Sequence, residues 1–141
     1  MGRATGRLVI AGVAVLSKIL VVDDLKDVTD DMGLLFETLG HETRTGADGH
    51  QAVALAESFG PDIVFMDLDM PRLNGYEAAR AIRALPLVAQ PFLVALTASS
   101  GVAVQVATRA VGFDFYLHKP ADTNALLAVV ADLATRTRAA P

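Results

Sequence analysis

At 141 residues the chain fits a single domain with room for a sizeable core, and 52% hydrophobic with 20% charged residues is a globular composition, not that of a disordered tail. Sixteen acidic residues against twelve Lys plus Arg give a net charge of −4 without a basic stripe, which argues against direct nucleic-acid binding. The absence of cysteine excludes disulfides, thiolate zinc sites and cysteine nucleophiles, and His41, His50 and His118 lack the i, i+3 or i, i+4 spacing of a helical metal site.

The chain opens with a short basic stretch, Met1 to Arg7, followed by the apolar run Leu8 to Ser17. That outline imitates a secretory signal but is too short for a membrane span, which needs about 20 apolar residues. A cloning remnant, a mis-set start codon or the end of an upstream linker are the alternatives. The expected division is residues 1–17 as extension, tag or linker, 18–136 as the folded domain, and 137–141 as a tail, with fraying from Arg136 onward. From Lys18 short β-branched runs alternate with helical patterns, the mark of an α/β fold with a parallel sheet. Ile19-Leu20-Val21-Val22 is apolar throughout, as expected for a central strand covered on both faces. Val28, Met32, Leu35, Phe36 and Leu39 then recur at helical spacing, and Gly40 supplies a stop.

Glu42 to Thr45 fits a weaker edge strand, Asp48-Gly49 a turn, and a helix runs to about Phe59 before Gly60-Pro61. Ile63 to Met66 is the second strong strand, followed by the loop Asp67 to Gly75, where Pro71 and Gly75 read as loop geometry. Asn74 with Glu77 three residues on caps the next helix, which carries Ala78 and Ile82 on one face. Phe92 to Leu96 is a third apolar strand. Val102 to Ala110 reads as helix, although Val102, Val104 and Val106 also alternate like a strand. Asp114 to His118 is the last strand, and Leu126, Val130 and Leu133 mark a final amphipathic helix. The expected fold class is a doubly wound α/β domain with five parallel strands and five helices in strict alternation, with no output domain after the last helix.

In such a sheet the active residues gather beyond the carboxyl ends of the strands, and right-handed crossovers put all those ends on one edge. The ends read Asp23-Asp24, Asp67, Thr97 and Lys119-Pro120. Three carboxylates, a hydroxyl and an ammonium therefore converge. Like charges in one crevice raise each other's pKa unless a cation neutralises them. Lys119 is the only protein cation expected at this edge, so a hard divalent ion completes the balance, and Mg²⁺ suits a site that keeps waters and a phosphate. A carboxylate can act as nucleophile to phosphorus, the metal and Lys119 would neutralise the transferring group, and Thr97 would offer it a hydrogen bond. The site suits acyl-phosphate formation. Taken singly each residue has a plainer reading: a turn or cap for Asp23-Asp24 and Asp67, a structural hydroxyl for Thr97, a surface charge for Lys119, core packing for Tyr116. Their convergence promotes them.

The segments KILVVDD, DIVFMDLDMPRLNGYEA, LVALTA and FYLHKP, four blocks in order and each at a strand end, resemble the signature blocks of response-regulator receiver domains. The resemblance covers residues 18 to about 136 and implies the strand order 2-1-3-4-5. It implies Asp67 as phosphoacceptor, supplied by a phosphohistidine on a sensor histidine kinase or phosphotransfer protein. Asp24 and Asp67 would ligate Mg²⁺ directly, with the backbone carbonyl of Asp69, and Asp23 would act through water. Thr97 would bond the phosphoryl group and draw its loop inward, Tyr116 would turn inward as the aromatic switch, Lys119 would pair with phosphoryl oxygens, and Lys119-Pro120 would be cis. Signalling would leave by the face of the fourth helix, fifth strand and fifth helix to an unidentified downstream protein. An apolar exposed side of the Val-rich helix would suit a partner or a homodimer contact. A cytoplasmic location follows from the cytoplasmic phosphodonor, with no membrane contact, and it favours the tag or linker reading of the N-terminus.

Asp69 departs from the general pattern by adding a negative side chain two residues after the acceptor, and Phe113 and Phe115 make the approach to the last strand unusually apolar. The blocks FDFYLHKPAD and GHETRTGADG are most similar to receivers attached to hybrid histidine kinases. Three other functions compete. Asp67-Leu68-Asp69 resembles the nucleophile motif of haloacid-dehalogenase phosphatases, but Asp23-Asp24 lies upstream where that family expects its acidic pair downstream, and there is no space for a substrate cap. A phosphorylation-independent receiver would usually lack the acceptor, an acidic-pair member or the lysine, all of which are present. A flavodoxin-like electron carrier lacks support because no phosphate-cradling loop follows the first strand.

Overall fold

The computed structural model describes residues 16–136. The readings of residues 1–15 as an extension and of 137–141 as a frayed tail lie outside them. Ten elements follow in strict alternation: β1 (Lys18–Val22), α1 (Lys26–Thr38), β2 (Glu42–Gly46), α2 (Gly49–Phe59), β3 (Ile63–Asp67), α3 (Gly75–Ala84), β4 (Phe92–Thr97), α4 (Val102–Val111), β5 (Phe115–His118) and α5 (Thr123–Ala134). The five strands form one parallel sheet in the order β2-β1-β3-β4-β5. The chain steps outward from β1 to β2, then returns to the other side of β1, so the topological switch lies between β1 and β3.

Strand periodicity divides the core into two layers. On β1, Leu20 and Val22 point to one face and Ile19 and Val21 to the other. The first face packs with Val64, Met66, Leu93 and Ala95 against Ala52 and Ala56 of α2 and Ala78, Ala79 and Ile82 of α3. Small helical side chains let these helices approach closely. The second face joins Phe65, Val94 and Leu96 to Met32 and Phe36 of α1 and to Leu126, Val130 and Leu133 of α5. Phe36 stacks on Phe65 with ring centroids 5.3 Å apart. Each such fully buried side chain stabilises by roughly 1.5–3 kcal/mol. The uninterrupted apolar strands are therefore a consequence of having helices on both faces.

Several boundaries sharpen. Asp48-Gly49 is more than a turn: Asp48 is the N-cap of α2 and its carboxylate accepts the Gln51 N–H at 2.9 Å. The expected capping box at Asn74 and Glu77 is present, with bonds of 2.9 and 3.0 Å. The ambiguous Val-rich segment is helix. Thr108 and Val111, three apart, are its buried residues, whereas Val102 and Val106 are exposed and so never form the buried face of a strand. The last strand begins at Phe115, one residue later than expected, and Asp114 just before it binds Arg83 and the Leu93 N–H through its carboxylate.

Candidate functional site

The carboxyl ends of β1, β3, β4 and β5 open on the same edge, and the expected residues meet there. Asp23 follows β1 and is 1% exposed. Its N–H extends the ladder to the Gly46 carbonyl at 3.1 Å, and its Oδ1 accepts the Leu25 N–H at 2.9 Å. The first holds the backbone of Asp23 and the second orients its side chain. Asp24, its neighbour, is exposed. Asp67 closes β3, is 4% exposed, and its Oδ1 accepts the Asp69 N–H at 3.2 Å. One carboxylate oxygen from each of Asp23, Asp24 and Asp67 lies within 4.8 Å of the others.

Lys119 enters from the end of β5. Its backbone N–H donates to the Thr97 carbonyl at 2.7 Å, and the Lys119-Pro120 bond is cis, as expected. The ammonium lies 3.0 Å from Asp23 Oδ2 and 3.5 Å from Asp67 Oδ1. Burial alone would lower its pKa, but the hydrogen bond to Asp23 and the charges of Asp67 and Asp23 outweigh that, so it sits above the ordinary lysine value. The Asp67 carboxyl is pushed above the usual carboxylate range, first by burial and then by the charge of Asp23, despite the Asp69 N–H and Lys119. One ammonium therefore does not neutralise the crevice.

A set of hard carboxylate oxygens carrying uncompensated charge fits a divalent cation such as Mg²⁺. Asp23, Asp24 and Asp67 are the side chains that would hold it. The Asp69 side chain is exposed and its N–H is turned to Asp67.

Thr97 is buried at the end of β4, one residue beyond the partner of Asp67 in the ladder. Its hydroxyl is engaged within its own loop, accepting the Ser99 N–H at 2.9 Å and donating to the Ser99 carbonyl at 3.0 Å. Tyr116 lies half-buried on β5 against the first core layer, and its hydroxyl accepts a hydrogen bond from Gln105 of α4. The residues of this edge are thus brought together, with Tyr116 one strand removed from the acids.

Three contributors escaped the sequence reading. Gly75 is not merely loop geometry: a Cβ there would lie 2.4 Å from the Asp67 carbonyl oxygen and 2.8 Å from Leu68 Cα, so only glycine lets α3 start against the acidic strand end. Gly49 is equally confined, with a hypothetical Cβ 2.3 Å from the Leu73 carbonyl. Arg72 holds the left-handed region at φ 64 and donates to Asp48 at 2.9 Å, tying the loop after Asp67 to the start of α2. Asp48 lies below the ordinary carboxylate pKa because of the Gln51 N–H first and Arg72 second. The Asp48-Gly49 pair signalled the cap, whereas nothing local marked Arg72.

Residues 19–131 match the response regulator receiver domain family. Protein PilG of Pseudomonas aeruginosa is 31% identical over 113 residues, covering 80% of this chain and 84% of its own. Response regulator MprA of Mycolicibacterium vanbaalenii is 36% identical over 124 residues, and there the chain spans 51% of the relative's length. Among solved structures, the receiver domain of a sensor histidine kinase from Pseudomonas aeruginosa superimposes with a TM-score of 0.76 at 29% identity, covering 86% of this chain and 99% of that one. That structure has a magnesium ion coordinated in its active site cleft. With the family match running through all five strand ends and the acidic cluster in place beyond them, the chain belongs to the response regulator receiver domains of two-component signalling.

Proposed function

We propose that Asp67 is the phosphoacceptor of a Mg²⁺-dependent receiver supplied by a sensor histidine kinase or phosphotransfer protein. The observation that carries this reading is the pairing of Lys119 with both Asp23 and Asp67 beside the exposed Asp24. One Asp67 carboxylate oxygen forms a P–O bond as the P–N bond to the donor imidazole breaks. The imidazole leaves with the electron pair and takes a proton from solvent. When bound, Mg²⁺ neutralises charge on the transferring group. Asp24, Asp67 and the Asp69 carbonyl would hold it, with Asp23 supporting it through water. Lys119 pairs with a phosphoryl oxygen, and its tether to Asp23 keeps it aimed at that position. Thr97 exchanges its bonds to Ser99 for one to the phosphoryl group, so its loop moves toward Asp67.

The readout is the face of α4, β5 and α5, where Val102 and Val106 stand exposed for a downstream protein or a second copy. Residues 18–136 form the working receiver, and a phosphohistidine donor places the reaction in the cytoplasm. Among the described residues no helix is long and apolar enough to cross a membrane.

The test is intact mass after incubation with acetyl phosphate or phosphoramidate, with Mg²⁺ and separately with EDTA. A single Mg²⁺-dependent, hydroxylamine-labile adduct absent from Asp67→Asn supports the reading. Absence of both an adduct and beryllofluoride binding overturns it in favour of a phosphorylation-independent module. Sustained phosphate release abolished by Asp69→Asn would instead favour a phosphatase.

A further inference from the structure

Helix α4 is held unevenly along its length. Its buried residues, Thr108 and Val111, both lie in the C-terminal half, whereas Val102 and Val106 are 75% and 63% exposed. The helix begins at Gly101 without a side-chain cap. Its other end is clamped: Arg83 Nε and Nη2 donate to the Gly112 carbonyl at 3.0 and 2.7 Å, and Nη2 also reaches Asp114 at 3.0 Å. A groove of about 400 Å³ separates α4 from β5, lined by Gln105, Val106, Phe113 and Tyr116 among others. The side chain of Gln105 crosses that groove to the Tyr116 hydroxyl. The loosely packed half of the helix is thus tied by this polar contact to β5, the strand that leads into Lys119.

We propose that Gln105 is a positioning residue that latches Tyr116 and the N-terminal half of α4 in the resting arrangement. The proposal rests on the Asp67 acceptor reading for its trigger. A ring that turns away from α4 must first lose Gln105, and the freed half of the helix then pivots about the end held by Arg83. The groove supplies the space for that movement. A ligand that favours the turned state works against the latch, so removing the latch tightens the ligand.

The chain has two tyrosines, Tyr76 and Tyr116, so 3-fluorotyrosine labelling gives two ¹⁹F resonances, assigned with Tyr76→Phe. In Gln105→Leu the Tyr116 resonance moves without any ligand, and beryllofluoride binds roughly 2- to 10-fold more tightly, the range set by losing one exposed hydrogen bond. Gln105→Glu, whose carboxylate accepts the tyrosine O–H, returns both readings toward wild type. Tyr116→Phe tightens beryllofluoride to the same extent, and adding Gln105→Leu to it changes nothing further. An unmoved resonance with unchanged affinity in Gln105→Leu overturns the latch, as does full additivity of the two substitutions. If beryllofluoride binds none of the proteins, the acceptor reading fails. The latch is then judged by whether the ligand-free resonance moves in Gln105→Leu and returns in Gln105→Glu.

Discussion

Gly75→Ala tests whether the first turn of α3 sets the position of the acceptor. The added methyl would sit 2.4 Å from the Asp67 carbonyl oxygen, 2.8 Å from Leu68 Cα and 3.1 Å from the Asp67 carbonyl carbon. All three are backbone atoms, so no rotamer change relieves the contact. An ordinary C···O contact needs roughly 3.3 Å, so helix and strand end must separate by about 0.9 Å. Overpacking of this kind costs about 1–3 kcal/mol. The Gly75 N–H bond to the Leu68 carbonyl, 3.0 Å long, would stretch and lose part of its ~1 kcal/mol. Alanine recovers only about 0.4–1 kcal/mol through a less flexible unfolded chain. The net loss is therefore about 1–3 kcal/mol, which lowers the urea midpoint by about 1 M for a slope near 2 kcal/mol/M. A shift of nearly 1 Å at a reacting carboxylate is expected to slow acetyl-phosphate labelling about 100-fold. Gly60→Ala is the control: at φ 66 nothing lies within 4 Å of its Cβ, so it pays only the left-handed penalty, about 1 kcal/mol, and labels at the wild-type rate. Wild-type stability and labelling in Gly75→Ala would refute the reasoning, and so would equal slowing in the Gly60 control.

Asp67→Asn removes a buried carboxylate that burial and Asp23 already disfavour, so in EDTA at neutral pH it melts higher than wild type while forming no adduct; calorimetry and intact mass check the pair. His41 is held below the ordinary histidine pKa by burial, and its Nδ1 accepts the Ser17 N–H at 3.0 Å, which requires the neutral ring. Its contribution is present above about pH 6.5 and is lost as pH falls through the lowered folded pKa. Denaturant midpoints between pH 7.5 and 5 should therefore fall less steeply in His41→Asn, which keeps an acceptor but does not titrate. Arg83→Ala should cost about 2–3 kcal/mol in urea titrations, because it leaves the Gly112 and Pro91 carbonyls and Asp114 with fewer donors. Arg83→Lys should recover less than half, since an ammonium cannot reproduce the planar fork.

The strands and their order of appearance were legible because covering helices make β1, β3 and β4 apolar on both faces, a pattern that survives in one dimension. The acids were legible for the same reason, standing where the runs of β1 and β3 stop, whereas Lys119 follows the half-buried β5 and was marked by the FYLHKP block. β2 was faint, since an edge strand with one buried residue, Gly46, carries little hydrophobic signal. Val102 to Ala110 was read as helix despite a strand-like alternation of valines, and two of those valines, Val102 and Val106, are exposed on α4 and so carried no core signal. Arg83, Gly112 and Asp114 could not be read as a unit, because their contact spans 29 to 31 residues and depends on where α4 ends. Gly75 was visible as a glycine, but the carbonyl it makes room for belongs to a residue eight positions earlier.

The geometry also separates the roles of groups that look alike in the sequence. Asp23 and Asp24 are adjacent acids, yet Asp23 is buried with one oxygen on the Leu25 N–H and the other on Lys119, while Asp24 is exposed. Asp23 therefore helps hold the edge together through both oxygens, while Asp24 stands exposed beside it in the acidic cluster. The same comparison applies to Lys119, which is 0.5 Å closer to Asp23 than to Asp67 (3.0 against 3.5 Å). Anchored on Asp23, it also reaches Asp67, the carboxylate proposed to attack. The Asp67 pKa is raised by burial first and by the charge of Asp23 second, and a divalent cation held at this cluster would relieve that repulsion. An acidic edge left short of positive charge thus suits the metal and the phosphoryl group proposed to bind there together.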